Sequence, residues 1–120
     1  MRSIYYHPDG RRSVADDVDR YTHVIVGQLN AEAEKPAGYD LDLAEINALE
    51  PEEREQTKER IRVFERAKTA GRYRSKAMRW TISEDAAITA VAGFADETHE
   101  GKPKWANIRI MLVSQTLEDA

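Results

Sequence analysis

The chain has 120 residues, of which 33% are charged, carries a net charge of −4 and contains no cysteine. This length is enough for one hydrophobic core, so we expect residues 1–120 to form a single domain. The missing cysteines exclude disulfides, thiolate nucleophiles and cysteine zinc sites, and they suit a reducing cytoplasm. No apolar run approaches the roughly 18 residues of a membrane helix, and the first residues lack the apolar centre of a signal peptide. We therefore predict a cytoplasmic protein with no membrane partner.

The first third of the chain predicts a short strand, a turn and a long helix. Residues 3–6 favour a strand, and the Pro-Asp-Gly sequence within residues 7–10 is typical of a tight turn. Residues 13–35 show the spacing of an amphipathic helix, with apolar side chains every three or four positions. This apolar stripe consists of Val14, Val18, Tyr21, Ile25 and Leu29. Because residues 21–26 are rich in β-branched side chains, a strand there is the competing interpretation.

The middle third predicts two more helices. Residues 40–49 favour a short helix, with Asp40 as its N-cap. Pro51 suits the first turn of a helix, because its missing N–H is not needed there, and Gly71 suits the left-handed residue that follows a helix. We therefore predict a long helix over residues 51–70.

The last third predicts a sheet. Residues 73–82 and residues 104–116 are expected to form strands. Both alternating sets of side chains in the second strand are apolar, which is typical of a central strand. One face is expected to carry Ala106, Ile108, Ile110 and Leu112, and the other Trp105, Met111 and Val113.

The segment between these strands has no clear secondary-structure preference. Residues 86–95 contain five alanines, which favour a helix, and several β-branched side chains, which favour a strand. We prefer a strand, as the middle of a meander. The predicted fold is then α+β, with an N-terminal helical layer packed on a small, mostly antiparallel C-terminal sheet. Its core would join the apolar stripe of residues 13–35 to the strand face that carries Ile110.

Charge is distributed unevenly along the chain. Residues 54–79 contain ten basic and three acidic residues, a net charge of +7, so the remaining residues sum to −11. A basic segment in an acidic protein has two natural partners: an acidic protein surface, or an anion outside the protein. Residues 40–53 form the nearest acidic stretch.

We expect the basic segment to contact an acidic protein surface. In a strand, Arg72, Arg74 and Lys76 would point to the same side and form a basic row. The acidic surface would be residues 40–53 of the same chain, a second copy in a homodimer, or another protein. The predicted partner-binding residues are Arg72, Tyr73, Arg74, Lys76, Arg79, Arg62 and Arg66.

Three classes of function are compatible with these patterns. The first is a small non-enzymatic binding or regulatory protein that acts through protein–protein contacts, of the charge-dense kind that phages and mobile elements encode. The alternative is a winged-helix-like nucleic-acid binder that uses residues 54–79. The second alternative is a small enzyme with a pocket that Tyr5, Tyr21, Trp80 or Asp96 could line.

The sequence marks no catalytic, cofactor-binding or metal-binding residue. The three histidines are far apart, and none is paired by spacing with an activated serine. Asp96, His99 and Glu100 have side chains that can bind a metal, but one histidine in a charged segment is typical of a solvated turn. We therefore predict no cofactor and no metal.

Overall fold

The computed structural model describes residues 2–16 and 20–116. The strands are β1 Arg2–Tyr6, β2 Arg12–Asp16, β3 His23–Leu29, β4 Lys76–Thr81, β5 Thr98–His99, β6 Lys102–Pro103, β7 Trp105–Leu112 and β8 Ser114–Thr116. The helices are α1 Ala31–Glu34, α2 Leu43–Asn47, α3 Pro51–Thr69 and α4 Glu84–Asp96. Within this described part, no helix is long and apolar enough to span a bilayer.

The strands form two antiparallel three-stranded sheets and a short hairpin. The outer sheet has the order β2-β1-β8, with Ile4 of β1 opposite Val14 of β2. The central sheet has the order β4-β3-β7, with Ile25 of β3 between Arg79 of β4 and Ile110 of β7. Strands β5 and β6 pair only with each other among the described strands.

The main hydrophobic core lies between the two sheets. Tyr5 of β1 packs with Val24 and Val26 of β3, and each of the three is buried. The partly buried side chains packed around them are Ala77, Trp80, Met111 and Val113. Because side chains alternate along a strand, Val24 and Val26 face the outer sheet, whereas Ile25 faces the other way.

Helix α4 covers the other face of the central sheet and forms a third layer. Ile25 and Ala87 are both fully buried. Phe94 of α4 contacts Trp105 of β7 edge to face, with ring centroids 6.1 Å apart. On the same face, a Cβ atom at Gly27 would lie 2.6 Å from the sulfur of Met78, so glycine allows the Met78 side chain to pack directly against β3.

The predicted N-terminal helical layer is wrong, because strands lead the chain. Residues 13–35 form β2, β3 and the short helix α1, while Val18 lies outside the described residues. The predicted turn over residues 7–10 is confirmed: the Gly10 N–H donates to the His7 carbonyl at 3.0 Å, and Gly10 has a φ of 91°. This turn folds β2 back onto β1. The strand over residues 21–26, which was the competing interpretation, is close to the observed β3.

The predicted strand over residues 86–95 is also wrong, because this segment is helix α4. The Ser83 side chain caps it by accepting from the Ala86 N–H at 3.1 Å. Glu84 and Asp85 occupy the first turn, where the helix dipole favours acidic side chains. Alanine content and capping together outweigh the β-branched residues here.

The other predicted helices are found with adjusted ends. Helix α3 confirms the long helix over residues 51–70, and Gly71 follows it at a φ of 92°. The predicted helix over residues 40–49 is the shorter α2. Its N-cap is Asp42 and not Asp40, because Asp42 and Glu45 form a reciprocal capping box.

The predicted strand over residues 104–116 is observed as β7 and β8, but its faces differ from the prediction. Asn107 has a φ of 53°, and the register between β3 and β7 shifts next to it, so alternation is not continuous through this point. Ile110 is half-buried on the α4 side of the sheet, whereas Leu112 is 75% exposed. The predicted core face is therefore only partly formed.

Residues 30–75 extend from the sheets, and we call them the helical arm. Strands β3 and β4 are paired neighbours, so the arm leaves and returns at the same end of two adjacent strands. The protein measures 59 × 30 × 19 Å, with a radius of gyration of 19.0 Å. A compact chain of this length would have a radius of gyration of about 14 Å. The arm, which contains α1, α2 and α3, accounts for the elongated shape.

The buried position of Ile25 predicts a large loss of stability on truncation. Ile25→Ala is expected to lower the free energy of unfolding by roughly 2–5 kcal/mol, because it removes buried methyl groups and leaves a cavity. Leu112→Ala, at a 75% exposed position of the adjacent strand, is the matched control and should change it by less than about 0.5 kcal/mol. Urea denaturation measures both values, and equal effects would contradict the assigned layers.

Candidate functional site

The helical arm has a small aromatic core of its own. Phe64 of α3 is buried between two tyrosines, with ring centroids 5.1 Å from Tyr39 and 5.6 Å from Tyr73. Thr57, two turns earlier on α3, is buried as well. A Cβ atom at Gly38 would lie 2.8 Å from the Thr57 methyl group, so the loop before α2 can approach α3 only with glycine at this position.

A bidentate ion pair joins the two ends of the arm. The Arg72 Nε and Nη2 atoms donate to the two carboxylate oxygens of Glu34 at 2.6 and 2.8 Å. Hydrogen bonding to Arg72 lowers the pKa of Glu34 to about 2. Burial and the neighbouring Glu34 carboxylate raise the pKa of Tyr73. Glu34 ends α1 and Arg72 follows α3, so this pair fixes α3 relative to the start of the arm.

The β5–β6 hairpin supports the start of the arm. The Asn30 side chain donates to the Pro103 carbonyl at 2.8 Å and also caps α1. The Lys102 ammonium donates to the Glu32 carbonyl at 3.2 Å. These contacts hold α1 against the hairpin, and the hairpin is joined directly to β7 of the central sheet.

A groove runs along α3 between the helix and the ion pair, and we call it the arm groove. Its volume is about 540 Å³. Val63, Phe64 and Ala67 of α3 line one side, and Pro36 and Tyr73 line the other. Val63 remains 53% exposed, although it is apolar and projects from the middle of a long helix. Other apolar side chains of this protein, such as Ile88 and Leu112, are equally or more exposed, so the exposure of Val63 is informative only together with the apolar groove that it lines.

Charges on α3 are segregated along its length. A stripe of exposed side chains follows the helix at spacings of three and four residues, and we call it the charged stripe. It consists of Glu52, Glu55, Glu59, Arg62 and Arg66. The acidic members lie toward the N-terminus and the basic members toward the C-terminus, an order that the helix dipole favours. Glu59, which pairs with Arg62, also lines the arm groove, so the stripe and the groove are adjacent.

The structure divides the predicted partner-binding residues among several places. The predicted strand over residues 73–82 begins only at Lys76, so Arg72 and Arg74 lie in a turn and the expected basic row does not form. Arg72 pairs with Glu34 and not with residues 40–53. The Arg74 side chain lies close to Gly71, where a Cβ atom would be 2.8 Å from its Nε.

The remaining predicted residues point to different surfaces. Arg62 pairs with Glu59 on α3, and Arg66 is exposed one turn further along. Arg79 lies over the Phe94 ring at 5.6 Å, on the α4 side of the central sheet. Within the described part of the chain, no ion pair involves Arg60, Arg66, Lys68, Arg74 or Lys76. Arg54, whose Nη2 donates to the Leu49 carbonyl, and Lys58 likewise have no ion pair among the described residues. The cations that remain available therefore lie along α3 and just after it.

A second cavity, of about 650 Å³, lies beside α4. Of the side chains expected to line an enzyme pocket, Tyr21 and Trp80 line this cavity, with ring centroids 6.0 Å apart, and Tyr5 and Asp96 do not. The hydroxyl of Thr81 is engaged with backbone carbonyls, at 3.3 Å from His23 and 3.1 Å from Ser83. The described lining contains no histidine or serine that pairs a nucleophile with a base. This cavity is therefore a weaker candidate than the arm groove.

A buried histidine was missed by the sequence analysis. His7 is 4% exposed, with its Nδ1 3.0 Å from the Ser75 hydroxyl and its Nε2 2.7 Å from the Ser13 hydroxyl. Arg11 donates to the Ser75 carbonyl at 3.0 Å. Ser75 lies at the end of the arm, far from His7 in the sequence, so no local sequence pattern reveals this contact. Since both ring nitrogens are within hydrogen-bond distance of serine hydroxyls, His7 joins the outer sheet to Ser75 at the end of the arm.

Metal binding has no support in the described residues. No group of three histidine, aspartate or glutamate side chains converges there. Asp96, His99 and Glu100 are all exposed.

Comparison with protein-family models, with curated proteins and with solved structures gives no match. The geometry described above is therefore the basis for assigning a function.

The Glu34–Arg72 pair predicts a pH-dependent contribution to stability. Glu34→Gln is expected to lower the free energy of unfolding at pH 7 by about 1 kcal/mol, a modest value because water screens the half-exposed Arg72. The pKa of Glu34 is about 2 in the folded chain and 4.5 ordinarily, so this contribution is complete above about pH 5 and is lost as the pH falls toward 2. Urea midpoints at pH 7 and near pH 2 measure it.

Glu32→Gln is the matched control for this experiment, because Glu32 lies on the same short helix and its pair with Lys35 is looser, at 3.5 Å. A smaller effect of the control is expected at pH 7. If Glu34→Gln and the wild-type chain differed equally at both pH values, the ion pair would not stabilise the arm.

Burial of His7 predicts a second pH-dependent contribution to stability, which requires the neutral imidazole ring, whereas the ion pair requires the charged Glu34 carboxylate. Burial is the largest cause that lowers its pKa, followed by Arg11; Arg109 acts in the same direction and Asp9 opposes it. Stability from His7 is then complete above the ordinary pKa of about 6.5 and falls as the pH decreases below it. His7→Gln is expected to remove this dependence between about pH 7.5 and 5, with His99→Gln in an exposed turn as the control. Identical pH profiles for all three proteins would contradict this role.

Proposed function

We propose that this chain is a protein-binding module that acts by contact and not by catalysis, and that its binding surface is the arm groove with the adjacent charged stripe. The observation that carries this proposal is the half-exposed Val63 in an apolar groove of about 540 Å³. The aromatic core of the arm and the Glu34–Arg72 pair hold this groove in shape before any partner arrives. A preformed surface lowers the entropy lost on binding.

The chemistry of the groove selects the kind of partner. Val63 and Ala67 offer apolar contact, and Arg60 lines the groove without a carboxylate partner among the described residues. Arg66, also without one, is exposed on α3 beyond the groove. An amphipathic helix with an apolar face and acidic flanks satisfies both features, as in other helix-in-groove complexes. The basic side chains would add specificity and association rate more than affinity.

Nucleic-acid binding by residues 54–79 is the alternative, and the geometry favours it less. Glu55 and Glu59 lie on the same exposed stripe as the arginines and repel phosphates. Arg72 is already neutralised by Glu34. The cations that remain are spread along α3, but Glu55, Glu59 and Glu65 alternate with them and weaken any continuous attraction for a polyanion.

The groove predicts that one side chain controls partner binding. Val63→Asp should abolish capture of a specific partner, because it places a charge in the apolar part of the groove. Ile88→Asp, on α4 and away from the arm, is the matched control, since Ile88 is 54% exposed and Val63 is 53% exposed. The measurement is quantitative affinity purification with nuclease-treated extract of the native host.

Loss of one protein with Val63→Asp and its retention with Ile88→Asp are the expected results. The proposal is wrong if both variants capture the same proteins as the wild-type chain. Binding that disappears on nuclease treatment would favour the nucleic-acid alternative.

A further inference from the structure

We infer that the helix occupying this surface belongs to a second copy of the chain, so that two α3 helices pair antiparallel across their charged stripes. This inference rests on the proposed function, because it names the partner of the same surface. It goes further by specifying which residues of the two copies meet.

The first argument is that each arm carries opposite charges at its two ends. The acidic end lies at α2 and the start of α3, and it consists of Asp42, Glu45, Glu50, Glu52 and Glu53. The basic end lies at the close of α3 and beyond, and it consists of Arg66, Lys68, Arg74 and Lys76.

These two ends do not neutralise each other within one chain. Residues 52 and 66 are about 21 Å apart along a helix that rises 1.5 Å per residue. The Debye length at physiological salt is about 8 Å, so the exposed charges scarcely interact at this separation. Arg72, which the sequence analysis paired with the acidic stretch 40–53, is held by Glu34. Two antiparallel arms place each acidic end beside a basic end.

The second argument is the register of the charged stripe. An antiparallel alignment that sets Glu55 of one copy against Arg66 of the other also sets Glu59 against Arg62. Two-fold symmetry repeats both pairs. The two Glu55–Arg66 contacts are new, whereas Glu59 and Arg62, which already pair within each chain, would exchange or share partners between the copies. A parallel alignment in register places Glu55 against Glu55 and Arg66 against Arg66, which is repulsive. The stripe is therefore self-complementary in one direction only.

The third argument is the position of the apolar surface. Val63 and Ala67 lie next to the stripe in the arm groove, close to the middle and the basic half of α3. Paired arms would shield these side chains from water along a helix about 28 Å long. Charge pairs alone are weak in water, so the apolar contact supplies affinity while the charges fix direction.

The test is a charge-reversal series measured by sedimentation equilibrium. At about 50 mM salt and up to about 100 μM protein, the wild-type chain is expected to form dimers that weaken as salt is added. Glu55→Arg and Arg66→Glu should each raise the dissociation constant about tenfold or more, because each creates two like-charge contacts. The double variant restores opposite charges and should return to within about threefold of wild type.

Asp96→Arg, an exposed reversal at the end of α4, is the control and should not change the dissociation constant. All substituted positions are exposed, so circular dichroism should show folded variants. Rescue by the double variant supports the inference. A wild-type chain that stays monomeric throughout, a dimer indifferent to the single reversals, or a double variant that is not rescued each overturns it.

These outcomes are separable from failure of the proposed function. A monomeric chain whose capture of a different protein still depends on Val63 leaves the arm groove as a binding surface and removes only the second copy as its occupant. If Val63→Asp affects neither dimerisation nor capture, the groove itself is not the binding surface.

Discussion

The pairing of β3 with β4 determines where the helical arm begins and ends. Because these strands are neighbours in the central sheet, the arm is an insertion between two partners of one hairpin. The Glu34–Arg72 ion pair closes the insertion a few residues beyond the strands, with two short hydrogen bonds. Without that closure, α3 would keep its aromatic core and the hydrogen bonds from Tyr39 to Glu65 and from Arg54 to the Leu49 carbonyl, but it would lose the direct link to α1. The arm groove is the space between this ion pair and α3, so its shape depends on the same contact.

The position of the arm also explains the unusual distribution of charge. An elongated helix with acidic residues at one end and basic residues at the other has a large dipolar charge separation of its own. In a compact fold these residues would be close enough to form ion pairs within the chain. Here few of them do so among the described residues, and the nearest pairs are local, such as Arg62 with Glu59. These charges therefore remain exposed on the arm, where the proposed contact would use them.

Parts of the fold were predictable from local signals. Pro51 and Gly71 mark both ends of α3, because each has a conformational reason to lie at a helix end. The Pro-Asp-Gly turn was equally clear. The helix predicted over residues 13–35 is wrong. The apolar spacing of this segment fits a helix and its β-branched residues fit strands, and only pairing with distant β1, β4 and β7 resolves the choice. The strand predicted over residues 86–95 is wrong for the reverse reason. Its β-branched residues fit a strand, but the Ser83 cap favours the observed helix.

The candidate site was less predictable than the fold. The basic segment indicated an interaction surface, but the sequence did not show that Arg72 would be neutralised by Glu34, which lies far away in the chain and is brought close by the arm. The groove at Val63 and the contacts of His7 likewise require the three-dimensional arrangement. The charged stripe, in contrast, follows from helical spacing alone. Its self-complementarity could therefore have been predicted from the sequence of residues 52–66.

Distance measurement between spin labels tests the paired arms most directly. Because the sequence has no cysteine, a single introduced cysteine carries one label per copy. Antiparallel pairing predicts labels within about 20 Å of each other at Arg60→Cys, near the symmetry axis but on the groove side of α3, and about 25–30 Å apart at Thr69→Cys, near the helix end. Short distances at both positions would indicate parallel arms, and no dipolar coupling at either position would show that the arms do not pair; each result would contradict the account.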